Sequence, residues 1–460
     1  MTVVETLPGQ SDSADRIPLS FNQEFLCMFD RGDDEGPFGP TYNIVGGWRI
    51  KGTVRTDILQ AALDDVVQRH ETLRTSIIRG DDKYQRVLPA GPAKVSERDL
   101  SGVDPSQRGR RAEDLLIELE AGEYSIHDLP LVRAVLGRFD DEDSVLALIA
   151  HHSAVDEWSL QLLIRDLAAR YAVRSGHEVD LPPVRQFREF AEWERQRAGS
   201  AAVHRAREYW RDKLRDAQIV PMKTDKPRSA GLPKSTSWYR FALPAELTTA
   251  TLELAKSTRS SVFMVLLAVY KEFLRQTAGV SDITVPTFTA GRGQAKFQDT
   301  VGSFFNFVPL RTDLGGCETF RDVLDRTRAT CIEAYSRDIA FPQILEVAPT
   351  LMGAAIADDQ AICLFQVRQL PFDMDRRRVG DLEYSEIRKR VLSQSKGGDV
   401  PDGALFQLDI DPSGEMVGLV CFNTNLFDER TIEERVSNFH RVLRDAVTAP
   451  HAPLPTGGPR

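Results

Sequence analysis

The stretch from Val145 to Tyr171 constrains the fold more than any other part of the chain. Val145-Leu146-Ala147-Leu148-Ile149-Ala150 is an unbroken apolar run of strand length, and Leu160, Leu163, Ile164, Leu167, Ala168 and Tyr171 then recur at helical spacing. Between them lies His151-His152-Ser153-Ala154-Val155-Asp156-Glu157-Trp158-Ser159, so two histidines and an aspartate occupy a strand-to-helix turn. A turn clamped between a packed strand and a helix holds an imidazole in one orientation. His152 and Asp156 are four residues apart, near enough for the carboxylate to shape the turn. A neutral histidine there can take a proton from an attacking amine or hydroxyl, because its ordinary pKa of about 6.5 lies near working pH. The residues alone leave three readings open: a satisfied structural pair, half of a metal site, or a proton acceptor.

The flanking sequence reads as mixed α/β. Ser20 precedes a short helix carrying Phe25, Leu26 and Met28, Tyr42 to Ile50 alternates like a strand, and Ile58, Leu59, Ala62, Leu63 and Val66 share one helical face. Leu129 to Leu136 opens a hairpin whose partner strand delivers His151, with Arg133 in a structural salt bridge. Pro182-Pro183 breaks the pattern, a charged helical stretch runs from 184 to 215, and 224 to 236 is a polar loop. Further on come an apolar helix capped by Ser261, a strand over 282–288, a helix from Thr319, and a hairpin turning at Asp411-Pro412-Ser413-Gly414. Thr431 and Glu434 suggest a capping box for a last helix.

Bulk properties bound the function. No apolar run approaches the roughly 20 residues needed to cross a bilayer, and the polar start lacks the apolar core of a secretory signal, so a cytoplasmic protein is expected, with no membrane partner. A net charge of −10 without a basic block argues against nucleic acid. The five cysteines are scattered and sit in apolar surroundings, as buried free thiols rather than disulfides or zinc ligands; no metal site is expected. Gly291-Arg292-Gly293 lacks a third glycine in register for a dinucleotide loop, and Cys317 stands where a carrier attachment motif needs serine. No GxSxG elbow occurs, so whatever the chain condenses must arrive activated.

His151 to Ser159, HHSAVDEWS, resembles the HHxxxDGWS signature of the condensation domains of nonribosomal peptide synthetases, within the wider superfamily that includes chloramphenicol acetyltransferase. The resemblance extends in order along the chain from about Ile17 to Val447. RHETLRTSI from Arg69 is similar to "RHExLRTxF", and Pro130 to Leu136 to "PLxRAxL". The later matches are YWRDKL from Tyr209, Gly291-Arg292, Val301 to Arg311 ("VGxFxNxxPLR"), Ile362 to Val367 and Phe422 to Asp428. Only the histidine motif is recognisable alone; the ordered series makes it specific.

The resemblance implies two chloramphenicol-acetyltransferase-like lobes in a V-shaped pseudo-dimer with a central tunnel. The expected division is a disordered 1–16, an N-terminal lobe over 17–178, a C-terminal lobe over 179–449 and a loose tail over 450–460. By the same analogy the chain is a free-standing condensation enzyme of natural-product biosynthesis. It would pass an acyl group from a 4'-phosphopantetheine thioester on a partner carrier protein to an amine or hydroxyl acceptor, free or carrier-bound, and bind no cofactor itself. His152 would act at the meeting point as proton acceptor or positioner, His151 would support the turn, and Arg292 would pair with Asp156 across the lobes. An aspartate so paired is architectural rather than a base. Glu157, Trp158, Ser159 and Asn306 would lie on the acceptor side or tunnel, Ser159 capping the helix and Trp158 packing. Glu157 departs from the family, which has glycine there; if the position needed positive φ, glutamate would strain it by about 1–2 kcal/mol, and a side chain turned to solvent is the expectation. Two other functions remain open: an inactive docking platform and a carrier-independent acyl-CoA transferase. No EGHGR-like segment supports an epimerase.

Overall fold

In a computed structural model, which describes residues 16–368, 374–400, 402–410 and 414–455, the strand Asp143–His151 is buried at every position. Its two faces have different partners. Leu146, Leu148 and Ala150 join the core under the helices Thr56–Arg69 and Glu157–Arg174, while Val145, Ala147 and Ile149 pack on Leu115, Leu116 and Leu119 of the helix Arg108–Glu120. A strand covered on both sides needs no alternation, which explains the continuous apolar run.

Two sheets organise the chain. The first, in spatial order, comprises 377–379, 382–386, 43–51, 143–151, 132–138 and 94–99, antiparallel except for the last pair. The second runs 306–313, 282–289, 360–368, 403–410, 416–423 and 236–242, with 222–223 paired to 360–368. Its centre is parallel, 360–368 lying between 282–289 and 403–410. The helices Val262–Ala278, Phe320–Tyr335 and Glu429–Thr448 pack with it around Tyr270, Phe365, Phe406 and Phe439. Chain order does not keep the sheets apart. Arg377–Val379 and Leu382–Glu386, expected in the C-terminal lobe, add two strands to the first sheet because Trp48 to Lys51 leaves an open edge that Glu383 to Glu386 pairs.

Local expectations meet the structure unevenly. Ser20 and Gln23 form a reciprocal capping box, and Ser261 accepts from the Met264 amide. Arg133 pairs with Asp128, and all five cysteines are free. The charged stretch 184–215 is two helices, Phe187–Arg197 and Ala201–Lys213, separated where Ser200 caps the second. The last helix begins at Glu429 behind Asp428, and Thr431 donates instead to Asp225, so no Thr431–Glu434 box forms. The tail is tied down as far as Leu454: Arg321 N donates to Pro450 O and Leu454 N to Glu318 O at 2.7 Å. The expected disorder of residues 1–15, the end of the tail at 456–460, and three of the four residues of the 411–414 turn lie outside the described residues. No helix among the described residues is long and apolar enough to cross a membrane.

One buried group runs against the logic of a core. Lys271 is fully buried on the helix Val262–Ala278, and its Nζ donates to Thr312 Oγ1 at 2.5 Å with no carboxylate beside it. Burial pushes its pKa from an ordinary 10.5 down to about 7. Between those values the unfolded chain keeps a proton that the folded chain sheds, so this group makes stability rise with pH across that window. Lys271→Met should therefore raise the thermal midpoint at pH 7 by roughly 2 °C or more, and its advantage over the wild type should shrink as pH rises toward 10; calorimetric scans at several pH values check this.

Candidate active site

The ladder between 43–51 and 143–151 sets the histidines. Asn43 faces His151 in register, and His152 N donates to Tyr42 O at 2.9 Å, so pairing continues one residue past the strand end. The chain then turns through Ser153 to Val155 and enters the helix Glu157–Arg174. This crossing puts the His151 side chain into the protein and the His152 side chain at the wall of a cavity.

His151 is enclosed. Its Nε2 lies 3.2 Å from Gly39 O and its Nδ1 2.7 Å from Ser153 Oγ. A carbonyl only accepts, so Nε2 carries the proton and Nδ1 accepts from the hydroxyl. Burial pushes the His151 pKa down to about 4. The ring is therefore a neutral brace across the turn.

His152 is half-buried and oriented by its own turn: Nδ1 is 2.7 Å from Val155 O, which assigns the proton to Nδ1 and leaves the Nε2 lone pair unused. The ring stacks on Tyr42 at 4.9 Å between centroids and lies 5.2 Å from Phe305, held between one wall from each half of the chain. It lines a cavity of 430 Å³ between the two sheets. Phe25, Phe288, Phe305, Phe307 and Phe341 form an aromatic side of this cavity, and Glu157, Arg368, Glu386 and Asp409 belong to a charged one. Among the described residues no group of three or more histidine, cysteine or acidic side chains is arranged to hold a metal.

Asp156 does not touch the cavity. It is the N-cap of the helix, Oδ1 accepting from Ser159 N at 2.7 Å, while Oδ2 accepts from Phe304 N at 3.1 Å. Arg292 Nη2 donates to both oxygens, at 2.9 and 3.2 Å, and to Ser159 Oγ at 2.8 Å; its Nη1 donates to Thr300 O at 2.7 Å. The guanidinium packs 3.9 Å from the Phe304 ring centroid. Burial pulls the Arg292 pKa below the ordinary arginine value, opposed by Asp156. Gly291 makes the approach possible: its φ is +63° and a Cβ there would meet Phe304 O at 2.0 Å.

The remaining candidates separate. Ser159 does not cap the helix, because Asp156 holds that place; its hydroxyl accepts from Gly302 N and donates to Gly302 O, bonding the turn to the other lobe. Trp158 donates Nε1–H to Gln298 O at 3.1 Å and packs 5.4 Å from the Arg292 guanidinium, away from the cavity. Asn306 lies off the large cavity too: its amide donates to Ile339 O and Asp338 and accepts from Phe341 N, which docks the helix Phe341–Val347 on its strand beside a smaller cavity. Glu157 is not turned to bulk solvent. It is the first helical residue, has no positive φ, and lines the large cavity. Glutamate therefore sits there without strain, as an acidic residue in a first helical turn. Sequence reasoning missed Tyr42, Phe305 and a second tie between the halves, Glu120 to Arg240 at 2.9 Å and to Arg390. Nothing local marks these residues, since each matters through register or long-range packing.

The family model described as Condensation domain matches residues 13–456. The chain is 30% identical over 96% of its length to the phosphinothricin tripeptide synthetase PhsC of Streptomyces viridochromogenes, of which it spans 40%. It is 33% identical over 98% of its length to the probable non-canonical nonribosomal peptide synthetase CymA of Salinispora arenicola, of which it spans 6%. Among solved structures, the SgcC5 protein of Streptomyces globisporus, in complex with (R)-(-)-1-(2-naphthyl)-1,2-ethanediol and sucrose, superimposes with a TM-score of 0.92 at 49% identity, over 95% of this chain and 100% of that one. The first condensation domain of the calcium-dependent antibiotic synthetase shares the fold at 19% identity and a TM-score of 0.74, over 97% of this chain and 99% of that one.

Removing Arg292 leaves Asp156 as a buried charge without its cation. Arg292→Ala should lower stability by about 3–5 kcal/mol in denaturant unfolding, whereas Trp158→Phe, which deletes one hydrogen bond, should stay within about 1.5 kcal/mol.

Proposed function

The chain belongs to the condensation-domain family, and from that premise we propose that it transfers an acyl group from the phosphopantetheine thioester of a carrier protein to a hydroxyl acceptor in natural-product assembly. The observation that carries the proposal is the His152 Nε2. It has no protein partner among the described residues, its ring lines the cavity, and Nδ1 is committed to the Val155 carbonyl. On this reading the acceptor O–H lies against Nε2 and its oxygen attacks the thioester carbonyl. The C–O bond forms as the proton passes to Nε2; the tetrahedral intermediate then expels the pantetheine sulfur, which takes the proton back from the imidazolium. Ester and thiol result, and His152 returns to its starting tautomer. Holding both reactants in one cavity lowers the barrier by several kcal/mol, and proton transfer adds about 10² to 10⁴ in rate. The phosphopantetheine arm enters as part of the substrate.

A hydroxyl rather than an amine is favoured because SgcC5, 49% identical over nearly its whole chain, was crystallised with an aryl-substituted ethanediol. The aromatic side of this cavity, with Tyr42 and Phe305 against the imidazole and Phe288 against Phe305, suits an aryl group carrying such a diol.

The test is to incubate the purified protein with acyl carrier thioester, acyl-CoA or no donor, and with 1-(2-naphthyl)-1,2-ethanediol or the matching amino alcohol. Ester from the carrier donor is expected, and His152→Ala should cut kcat/KM by roughly 10² or more. Product from acyl-CoA alone would favour the carrier-independent transferase. Product unaffected by His152→Ala, or no product with any donor, would remove the catalytic assignment and leave the docking-platform reading.

A further inference from the structure

Two cavities approach His152. The large one holds the imidazole; the second, of 130 Å³, lies between the helices Phe21–Met28, Phe187–Arg197 and Phe341–Val347. Its wall is polar, with Asn22, Glu194, Gln294, Asn306, Asp338 and Gln343, whereas the facing side of the large cavity is aromatic. Among the described residues Phe305 alone lines both. Its ring is thus the partition between them, with centroids 5.2 Å from His152, 5.8 Å from Phe288 and 5.9 Å from Phe307 on the large-cavity side.

The backbone on either side of this ring is anchored. Ser303 O accepts from the Asn22 amide at 2.7 Å, Phe304 N is spent on Asp156, and Asn306 pairs with Thr289 while its side chain receives Phe341 N. Between these anchors Phe305 is only half-buried, against 2% exposure for Phe304. A phenyl ring has no hydrogen bond to lose, so rotation about Cα–Cβ between staggered wells changes its ring contacts alone. The pattern VGxFxNxxPLR fixes Phe304 and Asn306 and leaves position 305 open, so an aromatic partition belongs to this chain rather than to the pattern.

On the acyl-transfer reading above, on which this inference rests, an acyl arm lying in the large cavity fills the way it came by. A second reactant then needs another approach to Nε2, and the small cavity offers one that ends at the Phe305 ring. We propose that Phe305 is a specificity-determining gate for the acceptor. Closed, as here, it keeps a bound thioester away from water arriving through the small cavity; turned aside, it joins the two cavities and admits the neutral diol. The size of the side chain at 305 sets how readily acceptors pass, and Phe305 takes no part in proton transfer.

The experiment follows association of 1-(2-naphthyl)-1,2-ethanediol by its fluorescence in stopped flow. It is run with and without a saturating ketone analogue of 3-phenylpropanoyl pantetheine thioester, CH2 in place of sulfur, which fills the large cavity. Wild type is compared with Phe305→Leu, Phe305→Ala and Phe288→Ala, the last altering the aromatic side of the large cavity without reaching the small one. With the analogue bound, association should quicken from wild type to Phe305→Leu to Phe305→Ala, by roughly 10-fold or more at the end of the series. Without it the three rates should nearly coincide, because the large cavity is open. Phe288→Ala should alter dissociation and leave association unchanged. A residue that merely contacts the diol would shift dissociation in both conditions and could not produce this pattern. Phe305→Leu, the milder change, carries the test if Phe305→Ala fails to fold. Equal association across the 305 series with the analogue bound overturns the inference. So do a gain of the same size without the analogue, a matching gain in Phe288→Ala, and no measurable diol binding in wild type. Turnover of the true thioester is read separately. The gated pattern without product would overturn acyl transfer and keep the gate; product without the pattern would do the reverse.

Discussion

The buried contact between Asp156 and Arg292 is the interaction on which the site depends. The Asp156 carboxylate serves three elements at once: it caps the helix that leaves the histidine turn, receives the Phe304 amide from the opposite half, and faces the Arg292 guanidinium. An isolated carboxylate in such surroundings would be expensive to desolvate, and a buried ion pair repays that penalty only when its remaining hydrogen-bonding capacity is filled. Here it is filled largely by backbone, through Ser159 N and Phe304 N on one partner and Thr300 O on the other. The pair thus works as a register device: the helix begins, and the two halves meet, at one relative position.

That position decides what the imidazole can do. His152 takes its height from the strand ladder, its rotation from the Val155 carbonyl, and its two flat walls from Tyr42 on one sheet and Phe305 before the other. Three constraints from different levels of structure converge on leaving Nε2 as the open lone pair. His151, one residue earlier and therefore on the other side of the chain, is used up internally by Gly39 and Ser153. Adjacent histidines have opposite fates because a strand turns successive side chains to opposite faces.

Features that depend on neighbours in sequence were legible, and features that depend on register were not. The apolar run before His151, the helical period after Ser159 and the caps at Ser20 and Ser261 are local, and each forms as its spacing implies. The Thr431–Glu434 box had the right residues, but the helix begins at Glu429, so Asp428 holds the N-cap position, without a side-chain cap bond, and Thr431 lies inside the first turn and donates to Asp225. Ser159 lost its expected cap to Asp156 in the same way, and its hydroxyl went to the opposite half. The pairing of Asp156 with Arg292, 136 residues apart, came from motif resemblance rather than from any local rule. The stacking of Tyr42 on His152 and the strands from 377 to 386 were not legible, because which strands and side chains meet depends on register and on which edge is open. The direction of Glu157 was misjudged because first-turn acids face solvent on most helices, and this helix starts at a cavity.

The two ionic ties also bear on how the proposed reactants would reach His152. Asp156–Arg292 and Glu120 with Arg240 and Arg390 join the halves through charges that are almost wholly buried. Burial alone would raise the Glu120 pKa, yet Arg390 and Arg240 hold it below the usual carboxylate range. Prising the halves apart would expose both sets and sacrifice packing such as Arg292 on Phe304. On the proposed function, a long, slender acyl arm would be better suited to threading into the existing cavity than a bulky folded partner. The shape and charge of the cavity wall would then govern which substrates enter, and Glu157 is the one charged side chain lining it without an ion-pair partner among the described residues.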